Sequence, residues 1–303
     1  MLATYKISEL ESLGPRDLFD QLEMGNIVYF PKCPIPLPNR EDLQFLREEL
    51  PQRLVLKNIS YHPEVDAVMG LKSDRDTVAR VTSVLKNHSQ HIREFLMRVA
   101  RPLVENWRMG TCSFRPMEER GRNLKPHASN ELIHIDAGAY GATHGDRIFR
   151  FFVNVNPSEP REWASKGSFA HLFQRHAEAA GILPEQLKGG LEPGLIGRLY
   201  SGGLTRLARA GLPIAQLADS SPYDRTMRKF HNYMKDNREF KESSEGLEHF
   251  SFPPFSAWMV FTDGVSHSVL SGQFTLVQTC IVPMVNCRMQ ELVPMNIIKK
   301  AAV

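Results

Sequence analysis

The chain has 303 residues, a formal net charge of +3 and four cysteines, a size that supports one large domain or two modest ones. No apolar run approaches the roughly 20 residues a membrane-spanning helix needs, the N-terminus has no signal-peptide core, and the small charge gives no argument for nucleic acid. Cys33, Cys112, Cys280 and Cys287 form no CxxC pair, so neither a disulfide nor a zinc framework is expected and a reducing, cytoplasmic compartment is.

In chain order, 26–30 reads as a strand, the Pro-rich stretch 31–38 as a loop and 41–49 as a helix. Between Thr77 and Trp107 the apolar positions Val78, Val81, Val84, Leu85, Ile92, Phe95, Leu96 and Val99 recur at helical spacing. They predict one or two long helices, interrupted near Pro102. Beta character follows at 109–117, 131–137 and 147–156, with Pro157 ending the third strand. From Pro160 to about Glu248 the pattern turns helical, best at 168–180, 214–218 and 222–240, with glycine breaks at 189–190, 194 and 202–203. Strands return at 257–262 and 273–282. The order predicts an α+β protein: a mixed region, 1–108, packs on a barrel-like β core, 109–303, which a helical insert at about 160–248 interrupts.

The chemistry gathers around His134-Ile135-Asp136. In a strand, side chains alternate, so His134 and Asp136 share one face while Ile135 packs on the other. Far downstream, His267 follows the turn signal Asp263-Gly264 and precedes a strand. Two imidazoles and a carboxylate on one face of a metal, with the other positions open, make the facial triad of non-haem iron(II) oxygenases. An HxD recurs by chance in many chains, and His127, His144 and His171 are competing ligand candidates nearby, of which His127 and His144 sit in a polar loop and a turn and read by default as exposed.

The segment 147–156 puts Phe149, Phe151, Val153 and Val155 on one face and Arg150, Phe152, Asn154 and Asn156 on the other. A cation on an inner face needs an anion, either a carboxylate-bearing ligand or a buried acid such as Asp263. Arg115, Arg120, Arg122, Lys125 and Arg147 add positive charge near the HxD, as a solvated rim or as a mouth for a carboxylate or phosphate. The basic stretch 225–235 interleaves Met227, Phe230, Tyr233 and Met234, which fits a helix packing an aromatic stripe on the barrel, or a face on anionic lipid.

Taken together, Lys57-Asn58-Ile59-Ser60-Tyr61, Ser113-Phe114-Arg115-Pro116, Leu132 to Ala137, Gly145 to Pro157, Phe252-Pro253-Pro254, Trp258 to Asp263 and Val265-Ser266-His267 resemble the Kdo hydroxylases. Those are iron(II)- and 2-oxoglutarate-dependent dioxygenases acting on the Kdo sugar of lipopolysaccharide. The resemblance implies a double-stranded β-helix (jelly roll, cupin-like) in which His134, Asp136 and His267 hold Fe(II), 2-oxoglutarate chelates it and O2 takes the last position. It implies hydroxylation of carbon 3 of Kdo to give Ko, with release of succinate and CO2. The implied partners are a Kdo-bearing lipid A precursor and the anionic cytoplasmic face of the inner membrane, met peripherally.

Many 2-oxoglutarate enzymes carry an Arg about ten residues after the distal His, whereas this chain reads Leu276-Val277-Gln278-Thr279 there. Arg150, assisted by Asn154 and Gln278, is therefore expected to bind the far carboxylate, and Arg115, Arg122 and Arg147 the substrate. Two other readings are open: a hydroxylase of a different anionic small molecule or sugar, and a metal-binding jelly roll without turnover.

Overall fold

A computed structural model describes residues 1–138, 141–187, 191 and 221–302; the expected helix at 214–218 lies outside them. The strands are β1 (Leu2–Thr4), β2 (Ile27–Phe30), β3 (Ile59–His62), β4 (Ala67–Met69), β5 (Arg108–Arg115), β6 (Arg147–Asn154), β7 (Arg161–Ser165), β8 (Glu248–Phe252), β9 (Ala257–Phe261), β10 (Ser268–Ser271) and β11 (Thr275–Val282). Eight form one sheet in the order β1-β2-β9-β6-β11-β5-β3-β4, and three form another, β10-β7-β8. Every pairing is antiparallel except β1 beside β2. Strands from the N-terminal hundred residues thus complete the sheet that β5, β6, β9 and β11 build.

The helices are α1 (Asp17–Glu23), α2 (Arg40–Glu48), α3 (Arg75–Val99), α4 (Arg101–Val104), α5 (Phe169–His176), α6 (Pro184–Leu187), α7 (Pro222–Asp236), α8 (Arg238–Glu242) and α9 (Pro294–Ala301). Asp74 starts α3 by accepting from the Thr77 N–H at 2.8 Å, satisfying a donor that has no intrahelical partner. Val81, Val84, Leu85, Ile92, Phe95, Leu96 and Val99 are its buried stripe, each worth about 1.5–3 kcal/mol of apolar burial. The helix ends at Ala100, before Pro102, as the sequence predicts.

Two apolar cores result. The larger lies between the big sheet and the helices and takes Phe149, Phe151 and Val153 from β6 and Val155 just beyond it. The smaller holds Phe152, Trp163, Phe250, Phe252, Trp258, Val260, Val269 and Val277 from both sheets. Phe252 stacks on Trp258 with centroids 3.9 Å apart, and Trp163 meets both edge-on. The alternation read from β6 is therefore the partition between the two cores.

Three expectations change. The stretch 131–137 is not a strand: His134 makes an isolated bridge to His267, and Asp136 donates its N–H to the Thr262 carbonyl at 2.8 Å. The span 160–248 begins and ends in strands, β7 and β8, which pair with each other; their mixed composition hid the alternation. The expected helix 222–240 is two helices, because Asn237 is extended and caps the second by accepting from Phe240 N–H at 2.7 Å. Met227, Phe230 and Met234 of α7 are buried, and Phe230 packs its ring against Phe169 and Phe173 of α5. The aromatic stripe of α7 is thus core, not a lipid-facing surface.

Candidate metal centre and its cavity

His134 and His267 are locked together through their backbones, with N–H···O contacts of 3.0 and 2.8 Å in the two directions. One ligand atom from each of His134, Asp136 and His267 falls within 4.8 Å of the others. The Nδ1–H of His134 donates to the Leu132 carbonyl at 2.7 Å, and that of His267 to the Val265 carbonyl at 3.0 Å. Both rings are thereby fixed in the tautomer that leaves Nε2 as a bare lone pair, the form that ligates a metal. Burial, with the neighbouring His267, holds His134 well below the ordinary imidazole range, and burial also lowers His267.

Burial would push the Asp136 carboxyl up, but the Arg150 guanidinium outweighs it and holds it far below the carboxylate range. Arg150 Nη2 sits 3.0 Å from Asp136 Oδ2. The donor set is two neutral imidazoles and a carboxylate, which suits a divalent iron-type ion with open positions.

The triad opens into a cavity of about 110 Å³ lined by Lys57, Asn58, Arg115, Asn130, Arg150, Phe152, Trp163 and Val269. Arg115 ends β5 and Arg150 lies within β6, on either side of β11. Burial, and then repulsion from Arg150, pushes the Arg115 guanidinium down to about 9. The Nε atoms of both arginines, Trp163 Nε1 and Asn58 Oδ1 are buried without a hydrogen-bond partner among the described residues. Such orphaned groups cost about 1–3 kcal/mol each unless a ligand meets them.

Of the other residues singled out from sequence, Arg147, Asn154, Gln278 and Arg122 are placed elsewhere. Arg147 is buried: its Nε donates to Asp263 Oδ2 at 2.7 Å and its guanidinium lies 4.1 Å from the Phe261 ring centroid. It does not line the cavity, and the buried acid that the sequence offered to Arg150 is its partner. Asn154 donates to the carbonyls of Glu159 and Phe252, which uses both of its amide donors, and accepts from Asn156 N–H. Gln278 stands opposite Phe151 and Cys112, whose side chains belong to the core under the helices, and donates to the Gly110 and Thr279 carbonyls. It is on the far face of β11; Val277 and Thr279 face the cavity side, opposite Phe152 and Arg150. Arg122 does not line the cavity and lies 3.5 Å from the buried Glu119.

The structure also adds residues that sequence reasoning missed. His231 of α7 packs edge-on against His134 with centroids 5.1 Å apart, and its Nδ1–H donates to the Ile135 carbonyl at 2.6 Å. Burial pushes it down to about 4. Lys235, one turn on, donates to the carbonyls of His127 and Ser129, so α7 is bonded both to Ile135 within the HxD and to the loop that leads into it. Trp163 stacks on the His267 ring at 5.3 Å. None had a local signal, since each comes from an element remote in sequence.

Comparison with known proteins places this geometry. No curated protein matches in sequence. The solved structure of the Kdo hydroxylase KdoO, a non-heme Fe(II) alphaketoglutarate dependent dioxygenase, in complex with cobalt(II) superposes with a TM-score of 0.80 at 26% identity, over 99% of this chain and 95% of that one. The complex of KdoO with alphaketoglutarate and Fe(III) gives 0.79 at 26%, and that with succinate and Fe(III) 0.78 at 25%, with the same coverage. The sequence profile of 3-deoxy-D-manno-oct-2-ulosonic acid (Kdo) hydroxylase matches residues 8–303. The chain belongs to the Kdo hydroxylase family.

Proposed function

We propose that this chain hydroxylates carbon 3 of Kdo in a Kdo-bearing lipid A precursor, consuming 2-oxoglutarate and O2 and yielding Ko, succinate and CO2. The observation that carries it is the meeting of His134, Asp136 and His267 within 4.8 Å at a cavity whose orphaned donors are cationic or aromatic N–H groups, in a chain of this family. Fe(II) held by the three ligands would supply the activation of oxygen.

The protein's own residues do the rest. The Leu132 and Val265 carbonyls fix the imidazole tautomers. Arg150 keeps Asp136 ionised and, with Arg115 and the Trp163 N–H, presents donors for the far carboxylate of 2-oxoglutarate. Phe152 and Val269 supply apolar lining beside these donors.

The facing of the two sheets across the Phe152, Trp163 and Trp258 cluster supports a jelly roll. A peripheral position on the inner membrane is supported by Val55 and Leu56, 58% and 62% exposed, directly before Lys57 at the cavity. A cytoplasmic side is consistent with four free cysteines; among the described residues no helix is long and apolar enough to cross a membrane.

The test is iron-dependent succinate formation on a Kdo-bearing lipid A precursor, with mass spectrometry of the sugar. A gain of one oxygen atom at carbon 3 is expected. Metallated protein that makes no product from this lipid but oxidises another sugar acid would overturn the substrate assignment.

A further inference from the structure

The cavity carries more positive charge than its cosubstrate can neutralise. Three cations line it, Lys57, Arg115 and Arg150, against one carboxylate, Asp136. A divalent metal and a doubly charged cosubstrate cancel each other, so the excess persists when both are bound. Excess charge in a buried site needs a further anion.

The cations are not equivalent in place. Arg115 and Arg150 flank β11 on the sheet itself, and Arg150 is already on Asp136. Lys57 lies in the segment before β3 and its Nζ donates to the Ala128 carbonyl at 3.0 Å, joining two loops. One ammonium donor is used there and two remain. Among the described residues Lys57 forms no ion pair; the acid that influences it, Glu119, is held by Arg161, Arg122 and Asn130. Next to it, Asn58 Oδ1 is buried in the same cavity with no partner.

Resting on the functional reading above, we propose that Lys57 and Asn58 recognise the substrate's own acid group: the ammonium binds the carboxylate and the Asn58 amide oxygen accepts from a neighbouring sugar hydroxyl. In a 3-deoxy-2-ulosonic acid the carboxyl carbon is joined to carbon 2, and carbon 2 to carbon 3. Gripping the carboxylate therefore fixes the reacting carbon two bonds away, the positioning a hydroxylation needs. The cavity's cations then serve different anions, with Arg115 and Arg150 on the cosubstrate and Lys57 on the substrate.

The experiment compares wild-type protein, Lys57→Met, Lys57→Arg and Asn58→Leu on a Kdo glycoside and on its carboxyl methyl ester. Binding is measured to protein loaded with Co(II) and 2-oxoglutarate, and KM and kcat are measured with iron. Lys57→Met is expected to weaken binding of the acid by about 10–100-fold, the range of a charge-assisted hydrogen bond. The KM for 2-oxoglutarate should stay within about twofold, and Lys57→Arg should recover part of the loss. The ester should bind wild type poorly and lose nothing further in Lys57→Met. Equal losses for acid and ester, or a rise confined to the KM for 2-oxoglutarate, would overturn the assignment of Lys57 while leaving the activity in place. Wild-type protein that neither binds nor oxidises any Kdo glycoside would overturn the functional reading and this inference with it.

Discussion

Arg150 and Asp136 form an ion pair of 3.0 Å at the edge of the metal position, the first on β6 and the second in the irregular segment that carries the HxD. One guanidinium keeps the ligand carboxylate ionised, and its buried Nε, which has no partner among the described residues, is the donor proposed above for the cosubstrate carboxylate. Arg150→Met should raise the dissociation constant for 2-oxoglutarate by about 10–100-fold, the loss of a charged hydrogen bond. Gln278→Met, on the opposite face of β11, should leave it unchanged. Calorimetric titration of Co(II)-loaded protein reads both, and a normal affinity in Arg150→Met would pass the anchor to Arg115.

Removal of a ligand should separate metal binding from folding. His134→Ala and Asp136→Ala should lose more than the roughly 10–100-fold in metal affinity that outer partners command, and turnover with it. Circular dichroism should show the fold retained, because the bridge between residues 134 and 267 uses backbone atoms. Retained Co(II) binding in both variants would refute the triad.

The Arg147–Asp263 pair is predicted to be a stability element. Both side chains are buried, and Asp263 also accepts from the Ile148 N–H at 3.1 Å. Asp263→Ala strands a buried cation and should cost about 3–5 kcal/mol in urea unfolding. Adding Arg147→Met should recover part of it. A soluble, stable Arg147→Met with a raised substrate KM would instead return Arg147 to the cavity.

Acid sensitivity should trace in part to His88, buried in α3 with neither ring nitrogen partnered among the described residues. Burial pushes it down to about 3 from an ordinary 6.5. Above pH 6.5 the ring is neutral in both states and has no effect. As pH falls from 6.5 toward 3 the unfolded chain takes up a proton that the folded chain refuses, so stability is lost, on the order of 3 kcal/mol at pH 4. His231, at about 4, acts in the same direction. His88→Leu should flatten the fall of Tm between pH 6.5 and 4; an unchanged slope would exclude His88 as its source.

The proposed membrane contact is testable through Val55 and Leu56. Burying two such side chains is worth about 1.5–3 kcal/mol each, so Val55→Asp with Leu56→Asp should weaken co-sedimentation with phosphatidylglycerol vesicles by at least about tenfold. Equal sedimentation of variant and wild type would place the contact elsewhere.

The triad was legible because its evidence is local: two ligands at the spacing of an extended segment, and a third beside a turn. The β6 faces were legible for the same reason, since alternation is written in consecutive residues. Gln278 was misplaced because a shift of one residue moves a side chain to the other face of a sheet, and only the pairing of β11 with β5 and β6 sets that phase. Arg147 was misplaced because its charge looks like any other until Asp263 is seen beside it; a Cβ at Gly264 would strike its guanidinium, so the Asp-Gly turn is shaped around it.

By itself, then, the sequence determined which residue types could hold a metal, which faces of α3 and β6 are apolar, and that cations are plentiful near the HxD. The tertiary structure decided which cations count. Lys57, Arg115 and Arg150 come together, while Arg147 is turned away to Asp263 and Arg122 to Glu119. The reason is physical: periodicity is set by neighbours along the chain, whereas convergence on one cavity is set by non-local strand pairing and by whether each buried charge finds a protein partner or is left for a ligand.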